Sequence, residues 1–161
     1  PDFLHHPADT LPSFTLDGAR RTLIAGTAFG AASPVKFGHP TFYIDVEAEA
    51  GATVHLPHDH AERAIYVATG QVTTNGGEVL PAGPTIVLPD GGAEALFTTD
   101  RPSRVMLLGG APMEGPRLIW WNLVATDQRL IEAAKAEWKA GPFGGRWPEI
   151  PGEDEFIPLP E

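Results

Sequence analysis

Along much of this chain, hydrophobic and polar residues alternate one for one. Residues 41–47 put Phe42, Ile44 and Val46 on one side and Asp45 and Glu47 on the other. A period of two marks a strand with one face against a core. Comparable runs occupy 19–25, 53–56, 64–68, 71–74, 79–80, 85–88, 93–98, 104–108 and 117–124, each bounded by Gly, Pro, Asn or Asp. About nine or ten short strands with a turn every 8–12 residues or so predict a β-sandwich or barrel. Between 71–74 and 79–80 stands Asn75-Gly76, a strong hairpin signal because both residues tolerate positive φ. Residues 1–13 read as irregular, and 30–34 as a loop of small residues. The alternation predicts an inner face of Phe42, Ile44, Val46, Val54, Leu56, Ile65, Val67, Ile86, Leu88, Val105 and Leu107.

The period changes once. From 127 to 140 the apolar residues Leu130, Ile131, Ala134 and Trp138 fall at helical spacing. Thr126 is the expected N-cap, with Asp127 in the first turn, Lys139 in the last and Gly141 at C′. Leu130, Ile131 and Trp138 are expected to pin this helix outside the barrel. The tail, 142–161, holds five prolines, which exclude a helix or a central strand. It also carries Phe143, Trp147, Ile150, Phe156, Ile157 and Leu159, too many large apolar groups for a solvated tail, so it is expected to run extended and dock. The whole chain reads as a single domain over 1–161: barrel from about 14 to 125, helix 127–140, docked tail 142–161.

Composition narrows the function classes. The 161 residues include no cysteine. That removes disulfides, thiolate metal sites and thiol nucleophiles, and fits a reducing, cytoplasmic setting. A net charge of −10 opposes binding to nucleic acid or anionic membrane, and Arg20-Arg21 is the largest basic cluster. No apolar run approaches the roughly 20 residues that span a bilayer, and no secretory leader is recognisable. Since the chain opens on Pro1, it is expected to be trimmed or a piece of a longer protein. No G-x-S-x-G elbow, Walker loop or dinucleotide fingerprint occurs.

One cluster could carry chemistry, His58-Asp59-His60-Ala61-Glu62. Mononuclear iron or manganese takes imidazole and carboxylate ligands. If Val54 and Leu56 point inward, His58, His60 and Glu62 share their parity. The alternative is an exposed polar loop, for which Pro57 and Asp59 are turn residues. Elsewhere, His5-His6 reads as a solvated pair. Trp120, Trp121 and Tyr66 read as packing residues, and Glu132, Lys135 and Glu137 as a solvated helix face.

Several stretches together resemble a known family. Gly51, followed by His58-Asp59-His60-Ala61-Glu62 and then Gly70, is similar to a worn first cupin motif. Gly110-Ala111-Pro112, Trp120-Trp121-Asn122-Leu123-Val124, the helix around Glu132–Trp138, Gly141-Pro142-Phe143 and the end from Pro151 to Pro160 resemble the C-terminal cupin of pirins. The resemblance implies an all-β cupin, a jelly-roll double-stranded β-barrel with one C-terminal helix and an extended Pro-rich tail. Pirins are bicupins. Their N-terminal cupin carries the metal, usually iron, on three histidines and a glutamate. Some members open flavonols such as quercetin with dioxygen, and others bind protein partners.

Against that pattern, His60 and Glu62 are too close together, and the position of the second motif's histidine, after Pro81-Ala82-Gly83, falls among Ile86, Val87 and Leu88. The expectation is therefore a non-catalytic cupin with no cofactor of its own. It would support a metal-bearing N-terminal cupin or serve as an interaction module for a protein partner. The alternative is a metal-dependent dioxygenase of quercetinase type. It would use the missing first cupin, or iron or another divalent transition metal on a degenerate site of His58, His60 and Glu62.

Overall fold

The computed structural model describes residues 4–88, 95–141, 152, 155 and 157–160. Two compact units emerge, Pro1–Pro112 and Met113–Glu161. The first contains a 3₁₀ turn (Ala8–Thr10) and strands β1 (Ser13–Leu16), β2 (Ala19–Ala28), β3 (Ala31–Ala32), β4 (Thr41–Ala48), β5 (Thr53–Leu56), β6 (Glu62–Thr69), β7 (Gln71–Thr74), β8 (Val79–Pro81), β9 (Thr85–Leu88), β10 (Ala95–Thr98) and β11 (Ser103–Gly110).

Seven of these strands form one sheet in the order β1-β2-β4-β11-β6-β9, with β3 on β2. The other four form a second sheet in the order β5-β10-β7-β8. Every pairing is antiparallel. A single core lies between the two inner faces. Leu23, Phe42, Ile44, Val46, Ile65, Val67, Val105 and Leu107 come from the larger sheet, and Val54, Leu56, Val72, Leu80 and Phe97 from the smaller. This is the expected jelly-roll architecture. Of the residues assigned to its inner face, all are buried except Ile86 and Leu88, which are half-buried and pack against the same cluster.

Two strands were not among those expected. β1 pairs with β2 through Asp17-Gly18, whose φ values of 48° and 76° make a two-residue primed turn. β3 is a two-residue pairing on β2 within the small-residue loop. The turn between β7 and β8 is one residue longer than expected. Thr74 N donates to Glu78 O and Gly77 N to Thr74 O, both at 2.9 Å, and the left-handed residue is Gly77, φ 82°. The loop thus uses Asn75, Gly76 and Gly77, a three-residue hairpin loop closed by a left-handed glycine.

Adjacent Arg20 and Arg21 diverge, as neighbours on a strand must. Arg20 faces solvent and pairs with Glu47 at 2.9 Å. Arg21 is fully buried, where it donates from Nη1 to Leu16 O (2.6 Å) and Ala19 O (3.0 Å) and from Nη2 to Thr53 O (3.1 Å). It therefore ties the larger sheet to the first strand of the smaller. Burial pulls its pKa below the usual guanidinium value, against the opposing pull of Asp17.

In the second unit, residues 117–124 fold into a hairpin instead of one strand, β12 (Leu118–Trp120) and β13 (Leu123–Ala125), followed by helix α1 (Gln128–Ala140). Trp121 turns the chain at φ 52°. That conformation is rare for a bulky residue, and here the Trp138 ring braces it edge-to-face at 5.5 Å. Asp127, not Thr126, caps the helix, its carboxylate accepting from Arg129 N at 2.8 Å. Ile131 and Ala134, one turn apart, are buried against the hairpin, while Leu130, a step around the helix, is 49% exposed. Trp138 is half-buried, and its Nε1 donates to Ile157 O at 2.8 Å. Phe143, Trp147, Ile150 and Phe156 of the expected docked tail lie outside the described residues. No helix among the described residues is long and apolar enough to cross a membrane.

The two faces of the β6–β9 ladder make a direct test of this core. Ile65 faces inward opposite Ile86, while Val87, opposite Ala64, is 74% exposed. Ile65→Ala is expected to lower the unfolding free energy by about 2–5 kcal/mol. Val87→Ala should change it by about 0.5 kcal/mol or less. Urea denaturation of the two variants measures both.

Candidate functional site

The histidine cluster lies between β5 and β6. Leu56, the last residue of β5, is buried. The chain then leaves the sheet over residues 57–61 and re-enters at Glu62. The strand parity that would have lined up His58, His60 and Glu62 does not survive that loop. β6 takes its phase from Ile65 and Val67, both fully buried. Counting back by two, Arg63 shares their inward face, and Glu62 lies on the opposite one. Arg63 is indeed buried and Glu62 exposed.

The two histidines also part. His58 is exposed and, with His55, Asp59, Phe29 and Leu16, lines a surface cleft of about 380 Å³. The His60 side chain is only 8% exposed. Its ring lies 4.8 Å from that of Phe42, and its Nε2 is 3.0 Å from Thr27 O. A carbonyl oxygen only accepts, so this Nε2 carries the hydrogen and donates. His39 does the same toward Ala111 O at 2.7 Å, and His55 Nε2 pairs with Asp17 Oδ2 at 2.7 Å. Three histidines of the barrel thus have Nε2 engaged with an oxygen of the fold.

His58, His60 and Glu62 consequently do not converge on a common point. Among the described residues no group of three or more His, Asp or Glu side chains is placed to hold a metal ion. Nor does the neighbouring strand β9 supply a donor. Ile86 and Leu88 pack toward the core, and Val87 faces out. The residues present do not fit the family's iron site.

A hydrophobic and cationic row stands on the inner face instead. Register pairs Phe42 with Gly109, Gly109 with Arg63 and Arg63 with Leu88 across β4, β11, β6 and β9. Phe42 is buried at 1% exposure, and its ring covers Gly109. A Cβ at Gly109 would lie 2.6 Å from Phe42 Cε1 and 2.2 Å from Glu62 O. Gly109 therefore lets the Phe42 ring lean across the strand, and that ring in turn seats His60. Sequence patterning singled out the histidines and placed Phe42 and Leu88 inside, but missed Arg63 and Gly109 between them. Their signal was present in the parity of Arg63 with Ile65 and in a glycine pair at the end of an otherwise apolar strand.

Two sheets around one core, with a helix-bearing C-terminal extension, define a cupin of the jelly-roll type. The family model of the pirin C-terminal cupin domain matches residues 43–144, and this chain belongs to that family. A pirin-like protein of Caulobacter vibrioides is 45% identical over 163 aligned residues, covering 100% of this chain and 54% of that protein. A pirin-like protein of Solanum lycopersicum is 27% identical, over 83% of this chain and 47% of its own length. Among solved structures, quercetin 2,3-dioxygenase from Acinetobacter baumannii superposes with a TM-score of 0.82 at 29% identity, over 94% of this chain and 50% of that one. The chain spans about half the length of the curated relatives it matches.

Packing around Gly109 carries a measurable consequence. Gly109→Ala must displace the Phe42 ring or the backbone of Glu62, and overpacking of this kind costs about 1–3 kcal/mol. Gly76→Ala, whose added carbon would meet nothing closer than Thr74 Oγ1 at 3.7 Å, is expected to be close to neutral. Thermal unfolding of the two variants compares them.

Proposed function

We propose that this chain is the non-catalytic cupin of a pirin-type bicupin, and that its work is to support an N-terminal cupin that holds the metal. The observation that carries this reading is the inner row Phe42, Gly109, Arg63 and Leu88. Two hydrophobes, a glycine and a guanidinium make up this row of the inner face, and none of the four is a metal-ligating group. A guanidinium cannot be deprotonated in a protein, ligates no metal, and repels a divalent cation. The family match to the C-terminal domain and the coverage of about half of each relative support the second element, a partner cupin. The net charge of −10 supports neither a nucleic-acid nor an anionic-membrane partner.

A dioxygenase reading has its own warrant, since a solved relative is named quercetin 2,3-dioxygenase. On our reading, flavonol cleavage belongs to the intact bicupin and its chemistry to the other half. The residues here would shape and stiffen that half without touching the reacting atoms.

Elemental analysis decides between the two. After dialysis against a chelator and reloading with iron(II), manganese(II) or nickel(II), the 161-residue chain is expected to retain none at stoichiometric occupancy. Loose nickel or zinc on exposed imidazole is expected to fade on acidification, because ligating histidine must be neutral. One tightly held metal per chain, lost in His58→Ala or His60→Ala, would overturn the non-catalytic reading in favour of a degenerate catalytic site.

A further inference from the structure

The hairpin β12–β13 has two unlike faces. Leu118, Trp120 and Leu123 pack toward Ile131 and Ala134 of α1. On the other face Ile119 and Val124, register partners across the hairpin, are 72% and 62% exposed. Cross-strand partners project side by side, so the two make one apolar knob. Beside it runs a groove of about 610 Å³ between β13 and the first turns of α1, whose lining includes Val124 and the half-exposed Leu130. Arg117, Asn122 and Thr126 rim this groove and, among the described residues, no carboxylate lines it, although acidic residues outnumber basic ones by 21 to 11 in the chain. An exposed apolar patch rimmed by polar residues marks a protein-binding surface.

Met113–Glu161 buries only Leu123, Ile131 and Ala134 as fully enclosed hydrophobics among the described residues. A unit of this size rarely buries enough apolar surface to stabilise itself. We infer that the Ile119–Val124 knob and the groove beside Leu130 are the seat of a pirin-type N-terminal cupin. This rests on the supporting role proposed above and adds the surface through which that role is exerted. The occupant follows from length. The matched family model is of the C-terminal cupin domain, and the Caulobacter relative, which this chain covers only to 54%, has the remainder of its length to supply such a cupin.

Hydrogen exchange tests the assignment without requiring either half to be dissected. The whole chain is measured alone and as a chimera in which it replaces the corresponding half of the Caulobacter protein. Amides of residues 118–125 are expected to exchange at least tenfold more slowly in the chimera. Ile119→Asp or Val124→Asp should abolish that protection, and Val87→Asp should leave it intact. Protection that appears only in some other segment would overturn the seat proposed here while leaving the supporting role standing. No segment protected in the chimera would overturn both. Protection of 118–125 that rises with the concentration of the chain alone would place a second copy there. Protection already present in the chain alone and lost on truncation after Gly141 would place its own tail there. Either result overturns the inference.

Discussion

The burial of Ile65 and Val67 fixes the phase of β6, and the character of the site follows from that phase. Both side chains are fully enclosed between the sheets, and exposing either would cost about 1.5–3 kcal/mol of transfer free energy. A slip of one residue would turn both outward at once, so the register is strongly held. With that phase set, Arg63 must face in and Glu62 must face out. Chemistry that needs Glu62 beside two imidazoles inside the barrel is closed off by hydrophobic packing several residues away.

Other contacts reinforce the same division of labour. Arg21 links carbonyls of both sheets at one end of the barrel, and its charge is used entirely within the fold. His39, His55 and His60 hold loops and strands to one another through Nε2. These polar groups are engaged within the barrel itself.

Much of this was legible in the residues themselves. The inner face of each strand could be read from alternation because aliphatic residues in β4, β5, β6 and β11 have no competing demand. The resemblance in the tail and the helix pointed to the family that the match over 43–144 establishes. What alternation could not carry was parity across the loop at 57–61, since a turn resets the count. It also missed β1, an edge strand of four residues, although Asp17-Gly18 is a hairpin signal of the same kind as Asn75-Gly76. Trp121 hid the β12–β13 turn. Nothing in its residue type favours positive φ, and the brace from Trp138 is a tertiary contact that no local pattern records.

The inward Arg63 and outward Glu62 can be read directly, because the chain contains no cysteine to confuse the readout. Glu62→Cys and Arg63→Cys are made singly, shown to be folded by circular dichroism, and treated with a maleimide under native conditions. The account predicts that the thiol introduced at position 62 reacts at nearly the rate of an unfolded peptide. The thiol introduced at position 63 is protected by orders of magnitude and reacts only on unfolding. Rapid labelling at 63 with protection at 62 would reverse the phase of β6, bring the glutamate toward the histidines, and contradict the account.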